Sequence, residues 1–383
     1  MAWTPFQLGI AFLMLITGSI NTLIAKWTDM LKAEGRDHGE PREFNHPFLQ
    51  ACAMFLGEFL CIVAYGVIHL INRARRQSGG ELEAAERPLG EGQEHFTWRK
   101  AFVFLPPALC DMTATSIMYV GLNMTYASSF QMLRGAVIIF TALLSVAFLR
   151  NRLSASKWLG MFVVLAGLAL VGVSDIVFGK KTDAHGTNQI ITGDLLIIMA
   201  QIVAACQMVY EEKYLSKYDV PALVAVGCEG LFGFVVLSLL LIPMSYIPAG
   251  SFSDTPFHTI EDPIDAFVQM SNNKFIVLGL VGTIFSIAFF NYAGISVTKE
   301  INATTRMVLD SLRTLIIWAV SLGLKWQDFQ YLQVVGFVLL IIGMTVYNQI
   351  VTTETFKKIK IKILRRSNGD EEVLVTEEEV DRR

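Results

Sequence analysis

The chain has 383 residues, 53% hydrophobic and 17% charged, with a mean hydropathy of +0.48 and a formal net charge of −3. Soluble domains carry about 25% charged residues, so a single water-soluble globule is excluded. No basic arm or zinc spacing argues for nucleic acid.

A helix needs ~20 apolar residues to cross a bilayer. About ten such stretches follow one another, near 7–26, 48–71, 101–121, 127–149, 156–176, 193–213, 222–246, 274–295, 302–324 and 330–350. The first lacks a basic leader and a clear cleavage site, so it reads as a retained helix rather than a removed signal peptide. Between the second and third lies 72–98, rich in Gly, Glu and Arg and without hydrophobic period, which reads as a flexible linker. Pro106-Pro107 is expected to kink or break the third helix just ahead of Asp111. The loop 247–273 carries Pro248, Pro256 and Pro263 and is expected to fold over a pathway. The tail 351–383 is charged, basic first and acidic at its end. Cys52, Cys61, Cys110, Cys206 and Cys228 all sit in apolar stretches, where free thiols act as small hydrophobes rather than as a disulfide framework.

The stretches are not independent. Ala127, Ser128 and Ser129 return as Ala303, Thr304 and Thr305, and the same offset carries Ser145 onto Ser321, Gly160 onto Gly336 and Gly167 onto Gly343. This internal repeat divides the chain into a first five-helix repeat, 1–176, a second, 193–350, and the tail 351–383. Because five is odd, the second copy enters the membrane the other way round, giving inverted repeats. Gly160 with Gly167 and Gly336 with Gly343 lie two turns apart on one face and read as packing seams. Arg73, Arg75, Arg76, Arg99, Lys100, Arg150, Arg152, Lys157, Lys213 and Lys217 outnumber the basic residues of the opposite loops, which places both termini in the cytosol.

Charges at mid-bilayer cost about 2.5–3.5 kcal/mol each on insertion scales, so those inside spans are candidates for function. Gln131 and Arg134 share a face of the fourth helix; Arg306, Asp310 and Arg313 share one of the ninth. The repeat places Arg134 opposite Asp310 in register, so the duplicated position carries opposite charges. Asp310 and Arg313 either pair structurally or gate a pathway. Asp111 beside the expected break is a solute or ion candidate. Glu58 and Glu229, in the second helix of each half, are proton-coupling candidates. Asn21, Gln201, Gln207 and Asn291 add neutral polar groups at depth. Acids at depth outnumber firm basic residues, which tilts the reading toward a zwitterionic or cationic solute. No nucleophile elbow, phosphate loop or metalloprotease motif is present, so neither an enzyme nor a metal or cofactor site is expected. The six histidines are scattered.

The stretches "ALCDMTATSIMYVGLNMTYASSFQMLRGAVIIFTALLSVAFL", "TGDLLIIMAQIV", "EGLFGFVVLSLLL" and "SIAFFNYAGISVTKEINATTRMVLDSLRTLIIW" resemble the F subfamily of solute carrier family 35, in the drug/metabolite transporter superfamily, over roughly residues 3–350. The resemblance implies an all-α membrane protein of ten transmembrane helices in two inverted five-helix repeats. It implies a secondary transporter of a small organic solute on an intracellular membrane, lysosomal first, with Golgi and mitochondrion as alternatives. It also implies a cavity that puts Asn21, Asp111, Gln131, Arg134, Gln201, Asn291, Asp310 and Arg313 near the solute. The cysteine-stapled loop of the vacuolar members of that superfamily is absent, since 247–273 has no cysteine. The partners expected are the lipid bilayer, a small-molecule solute and protons, with a homodimer and a protein at the cytosolic tail as further candidates. A nucleotide-sugar carrier of the Golgi and a non-transporting membrane scaffold stand as competing readings.

Overall fold

The structure is a computed structural model that describes residues 3–37, 39–77, 101–122, 124, 130, 133–178, 187–218, 220–249, 258–326 and 329–347. It is a helical bundle. Helix α1 runs Pro5–Asp29, α2 Pro47–Gln77, α3 Leu105–Leu122, α4 Val137–Leu149, α5 Ala155–Phe178, α6 Thr187–Tyr218 and α7 Ala222–Met244. Then come a short α8, Pro263–Asn272, and the long α9 Lys274–Glu300, α10 Ala303–Gly323 and α11 Tyr331–Tyr347. Strands β1 (Lys32–Ala33) and β2 (Arg42–Glu43) form one antiparallel pair between α1 and α2. Local chemistry fixes several ends. A capping box, Thr4 with Gln7, starts α1, and Asn302 accepts the Thr305 N–H at the start of α10.

Among the described residues six helices are long and apolar enough to cross a membrane, and they include α1, α2, α7 and α9. The shorter α4, most of α5 and α11 are equally apolar, while α10 carries Arg306, Asp310 and Arg313. Burial departs from that of a soluble protein in what it puts outside and what polar groups it hides. Phe12, Phe148, Phe162, Leu239 and Phe285 face outward, while Asn21, Glu58, Gln201, Glu211, Glu229 and Arg306 are buried. That is the pattern of a bundle whose outside meets hydrocarbon.

The most extensive helix pairs join the two sequence halves, although within the second half α9 also packs on α7 and α10. The main packing partners are α1 with α9, α2 with α7, α3 with α6 and α5 with α11, followed by α2 with α9, α4 with α6, α1 with α10, α3 with α7 and α4 with α10. Exchanging the halves (α1 for α6, α2 for α7, α3 for α9, α4 for α10, α5 for α11) maps this set onto itself. The α5–α11 and α2–α7 pairs are antiparallel, while α2 runs parallel to α9, with Gly57 against Ile284 and Cys61 against Ala288. Gly160 lies against Gly343 and Tyr347 while Gly167 lies against Gly336 and Leu340; likewise Gly227 meets Ile62 and Gly233 meets Phe55. The glycines singled out in the sequence do form a seam: a Cβ on Gly160 would come within 2.5 Å of the Tyr347 backbone nitrogen, and one on Gly343 within 2.6 Å of that of Val164. Backbones touch there because nothing larger fits.

Four expectations need correction. Pro106 and Pro107 do not break the third helix: they occupy the first turn of α3, after a 3-10 turn at Phe102–Phe104, where a missing N–H costs nothing. Asp111 therefore sits in continuous helix. The fourth helix is not continuous: residues 130, 133 and 134 are helical, a Gly135-Ala136 turn follows, and α4 runs from Val137, while the rest of 125–132 lies outside the described residues. Helix α2 continues to Gln77, into the segment read as linker, and the rest of 72–98 lies outside the described residues, as does the tail. The loop 247–273 contains α8, capped by Asp262 with Pro263 in its first turn.

The seam yields a direct expectation. Gly160→Val should lower the unfolding free energy of the purified protein by about 1–3 kcal/mol, read as a fall in Tm. Gly9→Ala, where a Cβ meets nothing within 4 Å, should leave Tm unchanged.

Candidate functional site

Five charged side chains from five helices converge inside the bundle. Glu58 comes from α2, Asp111 from α3, Glu211 from α6, Glu229 from α7 and Arg306 from α10, all within electrostatic reach of one another. Arg306 Nη1 contacts Glu211 Oε2 at 2.7 Å, and both side chains are buried. Glu211 Oε1 accepts a second bond from Gln207 at 2.9 Å. The guanidinium fits because α9 carries Gly294 at the crossing, where a Cβ would sit 2.8 Å from Arg306 Nε. Glu58 accepts from Asn291 Nδ2 at 2.5 Å and packs against Gly230, next to Glu229 in sequence. Asp111 is hydrogen-bonded by Thr115. Glu229 Oε1 is buried and has no partner among the described residues. Arg306 thus balances one of four carboxylates, in surroundings where an isolated charge costs several kcal/mol.

A second polar group lies between α1, α9 and α10. Arg313 Nη2 contacts Asp310 Oδ2 at 3.3 Å, and the guanidinium lies 5.0 Å from the Phe290 ring centroid. Asn21 donates to the Ser286 hydroxyl at 3.0 Å and to the Thr283 carbonyl at 3.3 Å. At the start of α10, Glu212 accepts the Ala303 N–H at 3.0 Å and the Asn151 amide at 2.9 Å, a carboxylate at a helix N-terminus.

Where the sequence-chosen residues fall can now be stated. Glu58, Asp111, Glu229 and Asn291 come together. Asp310 and Arg313 pair, and Asn21 joins α1 to α9. Gln201, buried on α6, reaches Met118 of α3 at 3.2 Å. Arg134 is not brought into the core: it is exposed, on the helical residues just ahead of the Gly135-Ala136 turn that precedes α4. Gln131 lies outside the described residues, so the face it was expected to share with Arg134 does too. Glu211 was missed because the sixth span was ended near 213, which made an acid there interfacial. The helix continues to Tyr218 and keeps Glu211 inside. The Gln207–Glu211 spacing of four was the available signal.

Outside the spans, at the end where α1 stops and α2 begins, a further cluster joins the two halves. His46 Nδ1 lies 2.6 Å from Glu261 Oε1, and its Nε2 lies 3.4 Å from Asp265 Oδ2. Glu261 also accepts the Phe48 N–H, and Asp265 accepts the Arg36 N–H and the Arg42 guanidinium, which reaches on to Asp37. Burial alone would lower the His46 pKa, but the flanking carboxylates outweigh it and lift the value to about 9. Burial likewise opposes ionisation of Asp265, yet His46, Arg36 and Arg42 hold it well below the usual carboxylate range.

Two measurements follow. Removing the partner of a buried charge costs about 3–5 kcal/mol, so Arg306→Ala should lower Tm sharply, and adding Glu211→Gln should restore much of the loss. For His46, a folded pKa raised above the ordinary histidine value of 6.5 means stability fully present below about 6.5 and lost as pH rises through about 9. The Tm difference between the unmodified protein and His46→Gln should be constant from pH 5 to about 6.5 and shrink toward pH 10.

Comparison with known proteins bears on this arrangement. The family described as "Solute carrier family 35" matches residues 42–254. The human protein named "Solute carrier family 35 member F6" is 58% identical over 348 residues, 91% of this chain and 90% of its own. A Schizosaccharomyces pombe protein named "UDP-galactose transporter" is 28% identical over 120 residues, 31% of this chain and 33% of its own. A solved crystal structure superposes with a TM-score of 0.58 at 16% identity, covering 91% of this chain and 98% of its own, a likeness of fold alone.

Proposed function

The chain belongs to solute carrier family 35, and from that premise we propose that it moves a small organic solute across an intracellular membrane by alternating access, coupled to protons. The observation that carries this reading is that the main helix pairs map onto themselves when the two halves are exchanged, with α2 on α7, α4 on α10 and α5 on α11 as direct counterparts. Antiparallel contact between counterpart helices is what two oppositely inserted five-helix repeats would produce, and it supports ten spans related by an axis in the membrane plane. The polar core lies where such an axis passes, between α2 and α7, so rocking one half against the other would expose it to each side in turn. Glu58 and Glu229 are the coupling groups in this reading; Asn21, Gln201, Asn291, Asp310 and Arg313 line the path. We assign the protein to the lysosomal membrane with both termini cytosolic. The His46 clasp, held in its charged form at acid and neutral pH alike, suits the lumenal side of such a compartment.

A second reading, transport of a nucleotide sugar, draws on the partial likeness to the fission-yeast protein named for UDP-galactose. It asks for interior cations free to meet phosphates. Here Arg306 is held by Glu211 and Arg313 by Asp310, which favours the first reading.

Purified protein in liposomes should take up solute from a mixed amino-acid, amine and nucleotide-sugar pool when a pH gradient is imposed. Glu58→Gln or Glu229→Gln should reduce that flux by at least tenfold while the protein stays folded. Uptake indifferent to the gradient and to both substitutions would remove proton coupling, and stabilisation by a nucleotide monophosphate would favour the nucleotide-sugar reading.

A further inference from the structure

Resting on the carrier reading above, we propose that the acidic core binds the positively charged nitrogen of an organic amine, with Glu229 as its counter-ion. Each other charge in the core already has a partner. Arg306 is matched by Glu211, which Gln207 also holds; Glu58 is held by Asn291 and Asp111 by Thr115. Glu229 differs. Its side chain belongs to a residue only 7% exposed, and its Oε1 has no hydrogen-bond partner among the described residues. Its charged neighbours come from α2, α3, α6 and α10, so it points into the cluster rather than toward lipid.

What completes such a core must bring positive charge and hydrogen-bond donors together. An ammonium group does both. A metal ion is disfavoured, because among the described residues no three His, Cys, Asp or Glu side chains stand close enough to ligate one. An anion is disfavoured more strongly: it would face four carboxylates and a single guanidinium whose Nη1 is held by Glu211, leaving only Nε open. The sequence count of deep acids over deep bases pointed the same way, but only the structure shows which carboxylate oxygen is left open.

The test uses the full-length protein in detergent, with phenethylamine, choline and spermidine as probes and phenethyl alcohol and phenylacetate as neutral and anionic controls. At least one amine should raise Tm by several degrees while both controls leave it unchanged, and Glu229→Gln should abolish the rise. Should that variant fail to fold, Glu229→Asp, which keeps the charge, should retain a smaller rise and keep the same order of probes. Equal shifts from the controls, no shift from any amine, or an amine shift that survives Glu229→Gln would each overturn the proposal. Amine stabilisation without flux in liposomes would keep the site and remove the carrier reading; flux of an anionic solute without amine stabilisation would do the reverse.

Discussion

Helices in hydrocarbon gain nothing from the hydrophobic effect when they meet, since lipid tails are as apolar as their side chains. What holds them is close contact of backbones and polar groups that have no water to turn to. In this bundle that contact is made at glycines: Gly160 and Gly167 of α5 against Gly336 and Gly343 of α11, and Gly227, Gly230 and Gly233 of α7 against α2. The remaining architecture depends on these approaches. They fix counterpart helices as antiparallel neighbours, and they bring α2 and α7 close enough for Glu58 and Glu229 to share one polar interior.

That interior is ordered by desolvation. A buried guanidinium is tolerable because Glu211 meets it and Gly294 leaves it room. Neutral donors, Asn291, Gln207 and Thr115, serve the other carboxylates with one exception. Serine, threonine and asparagine on α1 and α9 bond to each other or to local carbonyls, as at Asn21 and Ser286, so polarity in the core is spent on specific contacts. Outside the spans the logic changes. The His46–Glu261–Asp265–Arg42 cluster gathers many charges at once, and they are tolerated because they alternate in sign.

Much of this was legible in the chain. The glycine pairs announced their seam because a repeat spacing of two turns is a local property of one helix, and a duplicated local pattern survives without knowing the partner. The apolar stretches likewise announced the long helices. The failures share a cause. Glu211 was lost to a helix end placed five residues early, and the turn at Gly135-Ala136 that sets Arg134 apart from α4 was not foreseen; hydropathy marks where a span is apolar, not where the backbone stops being helical. Pro106-Pro107 was read as a break because composition does not say that the residues fall in a first turn. The clasp was invisible because His46 and Asp265 are joined only by tertiary structure, and no spacing along the chain connects them. Helix α8 was missed although Asp262-Pro263 is a plain start signal, because Pro248, Pro256 and Pro263 made the whole stretch read as loop.

The cross-half pairing also orders the biosynthesis of the protein. As the chain leaves the ribosome, α2 and α3 reach the bilayer before α10 has been translated, so Glu58 and Asp111 enter the membrane with no guanidinium to meet them. The glycine face of α5 and the face of α2 that carries Phe55 and Ile62 wait, uncovered, for α11 and α7. The nascent first half is therefore an unfinished surface that the insertion machinery must shelter until synthesis is nearly complete, and truncated chains ending before α10 are natural clients of membrane quality control.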